Sequence, residues 1–130
     1  MGNDSRNLSD QKKFLDLLDT HLSHGFRAYH EYLNNNKKFL YTKIIKKNNE
    51  RIVGLILDHA HLFPLDQRGD LLSILFHIDS WLVQWNSLNE SRDFKLEDEF
   101  MFQTINKFPR DSLERLDTYF HENFDQNFKN

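Results

Sequence analysis

The chain has 130 residues, a net charge of −3, 12 Phe, 7 His and no Cys. The length suits one domain with a core of ordinary size; two domains would each fall short of one. The absence of Cys excludes disulfides, thiolate zinc sites, iron–sulfur ligation and thiol nucleophiles and fits a reducing compartment, while the acidic balance argues against a dedicated duplex-DNA binder.

Residues 1–8 read as a disordered lead-in, with 9–130 as a single helical domain. No apolar stretch comes near the roughly 20 residues that a spanning helix needs, and no apolar segment follows the polar start. The expectation is a soluble, cytoplasmic protein without a membrane role. Ser9 is a good N-cap for the first helix. Leu15, Leu18, Leu22, Phe26, Tyr29 and Leu33 follow at spacings of three and four, an apolar stripe that Asn34, Asn35 and Asn36 close. Gly25 inside it marks a close approach or a bend.

From 37 to 63 the pattern is less regular. Tyr41, Ile45, Ile52, Ile56 and Phe63 fit one helical face, but 46–51 is wholly polar. One helix crossing that stretch with its outer face wet is favoured over a hairpin of 39–45 and 52–57. Pro64 stops the element, and Asp66 is expected to cap the next. Over 71–88 eleven of eighteen positions are apolar, and Ser73, His77, Ser80, Gln84 and Ser87 recur at alternating spacings of four and three. A helix with one narrow polar stripe belongs inside a bundle.

A charged connector leads to Phe100, Met101 and Phe102, and residues 100–108 could be extended or helical. Pro109 opens the last helix, with Asp111 and Glu114 at capping-box spacing and Leu113, Leu116, Phe120, Phe124 and Phe128 as its stripe. Four Gly and two Pro are too few for a turn-rich β domain. The expected fold is all-α: a compact bundle of four to five helices around a near-fully buried central helix at about 70–88.

Three constellations carry chemistry. The first is histidine: His21 and His24 sit one turn apart, and His59 and His61 flank Ala60. Bundle cores can hold metal or haem on such residues, but the Glu-x-x-His pairs of carboxylate-bridged sites are absent. No cofactor is expected, and a His-ligated bundle on His21, His24, His59 and His61 stands as an alternative.

The second is Arg115 with His121 late in the chain. An Arg followed by a His after four to six residues in a small helical protein is similar to the motif of HEPN-type ribonucleases. The resemblance implies a metal-independent ribonuclease, with His121 as acid or base and Arg115 facing the developing phosphate charge. Phosphate loops and nucleophile elbows are missing, so no catalytic residues are assigned outside that alternative, and the chain reads as a non-enzyme.

The third is an interaction set. Residues 37–51 carry six bases against one acid, whereas 90–130 carry ten acids against six bases. Lys43, Lys47 and Arg51 line one helical face, suited to an acidic partner and, more weakly, to nucleic acid. Eighteen aromatic residues exceed what a small helical core requires, and aromatics are enriched at interface centres. The sequence therefore reads as a small protein-binding module: an accessory, adaptor or inhibitor/immunity subunit, partnered heteromerically or with itself. Its candidate contacts are Trp85, Phe102, Phe124, Lys43, Lys47 and Arg51.

Overall fold

The computed structural model describes residues 2–102 and 107–125, with side chains from Asn7 through Phe124. Among them the chain is all-helical. Helix α1 spans Gly2–Asn34, α2 Phe39–His59, α3 Leu65–Ser91 and α4 Arg110–Phe120. A 3₁₀ turn (Ala60–Leu62) joins α2 to α3, and a π-helical turn (His121–Asp125) continues α4. No helix is long and apolar enough to cross a membrane among the described residues.

Helix α1 packs along α2, α3 packs against α2 and α4, and the 3₁₀ turn touches the first three helices. The main core draws Phe14, Leu18 and Leu22 from α1, Ile52 and Ile56 from α2, Leu71, Ile74, Ile78 and Leu82 from α3, and Leu116 with Phe124 from the C-terminal end. A second, aromatic cluster of Phe39, Trp85 and Phe100 closes the far end of α3, with Phe94 and Phe102 packed against it.

Several boundaries differ from the sequence reading. Helix α1 begins at Gly2, not after Ser9. Asn7 and Leu8, expected in the lead-in, join the fold: Asn7 Nδ2 donates to Leu62 O at 3.2 Å and Leu8 packs on the core. Helix α2 does run unbroken through 46–51, so the hairpin is absent. Its polar stretch is not uniformly wet, however, because Asn48 and Asn49 are buried. Asp66 lies in the first turn of α3 behind an N-cap at Pro64, without a side-chain cap. Asp111 and Glu114 form no capping box either, since Pro109 is the N-cap of α4. In both places the proline ends the preceding extended segment, which moves the helix start upstream of the acid.

Helix α3 is buried on one side and open on the other: Phe76 and Val83 are 62% and 63% exposed. Near-complete burial is therefore not what its apolar composition produces here. The polar stripe divides as well, with Ser73, Ser80 and Ser87 exposed and His77 and Gln84 half-buried.

The α1–α2 connection is tight. Asn36 takes a left-handed φ of 61°, and Lys37 N–H donates to Tyr32 O at 2.9 Å, the six-to-one bond of a Schellman turn. Lys37 is left-handed too, at φ 52°. Phe100, Met101 and Phe102 are non-helical. The segment before them pairs with the start of α2 through an isolated antiparallel bridge, Lys38 to Glu99. Phe39 N–H donates to Asp98 O (2.7 Å) and Leu40 N–H to Leu96 O (3.0 Å). Those bonds satisfy first-turn amides that Lys38, without a side-chain acceptor, leaves open.

Candidate functional site: an aromatic cleft

A cleft of about 790 Å³ lies where all four helices and the segment before α4 meet. Helix α1 contributes Leu22, Gly25, Phe26 and Tyr29; α2 contributes Ile45, Asn49 and Ile52; α3 contributes His77, Ile78, Trp81 and Gln84. Phe102, residues 107–112 and Arg115 complete the wall. The volume falls within the range of ligand-binding clefts.

Gly25 sets the approach of α1 to α2. A Cβ there would lie 3.0 Å from Asn48 Nδ2, and that amide donates to His21 O at 2.8 Å. The next residue of α2, Asn49, lines the cleft at 9% exposure and makes no hydrogen bond among the described residues.

Phe108 stands edge-on to Phe26 (5.3 Å between centroids) and to His77 (5.2 Å). Phe102 lies against Trp81 at 5.1 Å and edge-on to Tyr32 at 6.2 Å. These contacts hold the rings while Phe26, His77, Trp81, Phe102 and Phe108 each stay partly open. Phe26 is 46% exposed and Tyr29 38%. Burial pushes the His77 imidazole below its ordinary pKa, so at neutral pH it is uncharged, one nitrogen donating and the other accepting.

At the opposite wall, Arg115 reaches Asp70 Oδ1 through Nε and Nη2, both at 2.9 Å, and Nη2 donates to Ser112 Oγ at 3.4 Å. The guanidinium is thus committed to a buried carboxylate. Lys107 and Arg110 are exposed at the mouth beside Asp111. The arrangement can hold an apolar or aromatic group and recognise a few polar atoms on it. Among the described residues it contains no nucleophile–base pair: the hydroxyl of Ser73, one turn from His77, donates to Gly69 O at 3.1 Å.

The residues singled out from sequence disperse over the surface and core. Trp85 is buried, its Nε1–H donating to Thr42 Oγ1 at 2.9 Å, with Lys46 Nζ 5.0 Å from its ring centroid. Phe124 is buried against Phe120 and Tyr119. Both are core anchors rather than contact residues, because their own chain covers them. Phe102 alone of the three aromatics reaches the cleft.

Lys43, Lys47 and Arg51 are exposed together. Helical geometry turns their face roughly 170° from Ile45, Asn49 and Ile52, so basic face and cleft lie on opposite sides of α2. Arg115 and His121 are six residues apart, about 120° around a helix, and His121 does not line the cleft. Phe128 lies outside the described residues.

Among the described residues no three His, Asp or Glu side chains converge on a metal position. His24 and His61 are exposed, while His59 bonds Leu55 O at 2.8 Å and stacks on Phe14. The turn that carries His59 and His61 has a structural explanation. Gln11 Nε2 donates to Leu62 O at 2.6 Å, and Arg68 Nη2 donates to Phe63 O at 3.0 Å.

Phe26, Tyr29, Asn49 and Trp81 are the site residues that the sequence reading left in the core or on a wet face. The surplus of aromatic residues was the signal for them, but it did not say which rings stay open. The chain matches no family model, no curated protein and no solved structure.

Proposed function

We propose that this protein is a small binding module, an accessory, adaptor or inhibitory subunit that holds a partner protein in its aromatic cleft. The observation that carries the reading is the open ring surface of Phe26 and Tyr29 on the rim of a cleft walled by Trp81, Phe102 and Phe108. Aromatic side chains left partly open around a concavity are the usual anchors of protein recognition. The bonding of the Ser73 hydroxyl to Gly69 O rather than to His77, and the commitment of Arg115 to Asp70, favour binding over turnover among the described residues. The cysteine-free composition goes with a cytoplasmic site of action.

Lys43, Lys47 and Arg51 have a different part in this reading. Facing away from the cleft, they steer an acidic partner rather than touch the bound segment. Lys43→Glu with Lys47→Glu slows association at low salt and has little effect at high salt.

The test is co-purification from the native host with three forms of the chain. The unaltered chain and Phe76→Lys, a change on the outer face of α3, retain one stoichiometric protein partner. Phe26→Lys loses it. Retention by Phe26→Lys, or no partner with any form, overturns the reading.

A further inference from the structure

The first turn of α4 lines the cleft, and its capping is incomplete. The N-cap is Pro109, whose side chain has no acceptor, and no side-chain cap bond forms. The amides of Asp111 and Ser112 stand at the positions where a helix leaves N–H groups unbonded. A helix start of this kind favours negative charge. Lys107 and Arg110 add two exposed positive charges to the same cleft, against the carboxylate of Asp111.

Asn49 is the independent observation. Its side chain is nine-tenths buried in the same cleft, yet has no hydrogen-bond partner among the described residues. Its amide atoms are open to the cleft, where a bound group can bond them in place of water. Its NH₂ group supplies two donors and its carbonyl one acceptor. Around it the walls are rings and aliphatic chains, so the occupant pairs an apolar body with an acceptor group.

We infer that the cleft takes an acidic peptide segment of the partner, with an aromatic side chain seated among Phe26, Trp81 and Phe108 and a nearby carboxylate at the start of α4. The inference rests on the reading of the cleft as a protein-binding site and specifies what the partner presents there. A singly charged carboxylate suits the mouth, because Asp111 offsets part of the positive charge of Lys107 and Arg110.

The test is selection of displayed random 12-residue peptides on the full-length chain, followed by affinity measurements on synthetic copies of those enriched. Enriched peptides carry Trp, Tyr or Phe within three residues of Asp or Glu. Amidation of that acid, or Asn49→Leu in the protein, weakens binding roughly tenfold. Asp111→Asn, an exposed change with no folding demand, tightens binding severalfold.

Aromatic peptides without an acid, lost with Phe26→Lys but indifferent to Asn49→Leu and Asp111→Asn, overturn the acidic-segment inference and leave the cleft reading standing. Peptides that bind Phe26→Lys as well as the unaltered chain, or the absence of any enrichment, overturn both.

Discussion

Gly25 and Asn48 make the contact that fixes how α1 passes α2: a Cβ on residue 25 would sit 3.0 Å from an amide nitrogen already bonded to His21 O. Asn48 is buried, so the amide cannot swing aside without giving up that bond. Alanine at 25 gains helix propensity, about 1 kcal/mol, but loses the hydrogen bond and crowds the crossing. Gly25→Ala therefore lowers the melting temperature. Gly54→Ala and Gly69→Ala, where an added Cβ meets nothing within 4 Å, stabilise by up to about 1 kcal/mol each. Thermal melts of the three variants check the opposite signs. Asn48→Ala in the Gly25→Ala background removes the crowding part of the penalty.

That crossing also shows what the sequence could and could not convey. Apolar spacing of three and four gave the helices, because each buries one face. The polar run at 46–51 looked wet, yet Asn48 and Asn49 are buried, because a glycine 23 residues away lets the backbones close together. Nothing in the local pattern records a partner so distant. The helix starts were misplaced for a simpler reason: capping signals at Ser9, Asp66 and Asp111 are valid locally, but proline geometry or an upstream helical turn took precedence. The cleft was the least legible feature. Its walls come from five segments, and whether Phe26 or Trp85 is the open ring depends on packing, not on residue type.

Trp85 donates to Thr42 Oγ1, and the Thr42 hydroxyl donates onward to Phe39 O at 2.7 Å. Thr42 is fully buried and Trp85 nearly so, so no water replaces a lost partner. Thr42→Val keeps the volume but strands the indole N–H, at a cost of about 1–3 kcal/mol. Thr42→Ser keeps the hydroxyl and loses only a methyl, costing about 1 kcal/mol. Urea denaturation of the two variants compares these costs. Equal losses would show that the hydroxyl relay contributes nothing.

Tyr32 donates its phenolic proton to Phe100 O and packs beside Tyr29. Burial, with Tyr29 and Glu99 nearby, raises its pKa to about 12 from an ordinary value of 10.0. A raised value in the folded state means that stability is intact below the unfolded pKa and is lost as pH climbs from about 10 toward about 12. The unfolded chain ionises first and draws the equilibrium toward itself. Tyr32→Phe loses about 1 kcal/mol at neutral pH with the hydrogen bond, but its stability falls less steeply in the alkaline range. Denaturation midpoints on either side of pH 10 measure the slope, and parallel slopes in the two proteins would remove Tyr32 as its source.

Asp70 and Arg115 are unequal partners: the Asp70 side chain is 10% exposed and that of Arg115 60%. Removing the arginine strands a buried carboxylate, whereas neutralising the aspartate leaves a guanidinium that water can solvate. Arg115→Met, which keeps the aliphatic stem, is therefore the more damaging change, at about 2–3 kcal/mol, against about 1 kcal/mol for Asp70→Asn, which still accepts a hydrogen bond. Chemical denaturation of both variants tests the asymmetry. It also separates the two roles considered for Arg115. An arginine held for phosphate chemistry would be replaceable without loss of stability, whereas one that closes the core beside α4 would not.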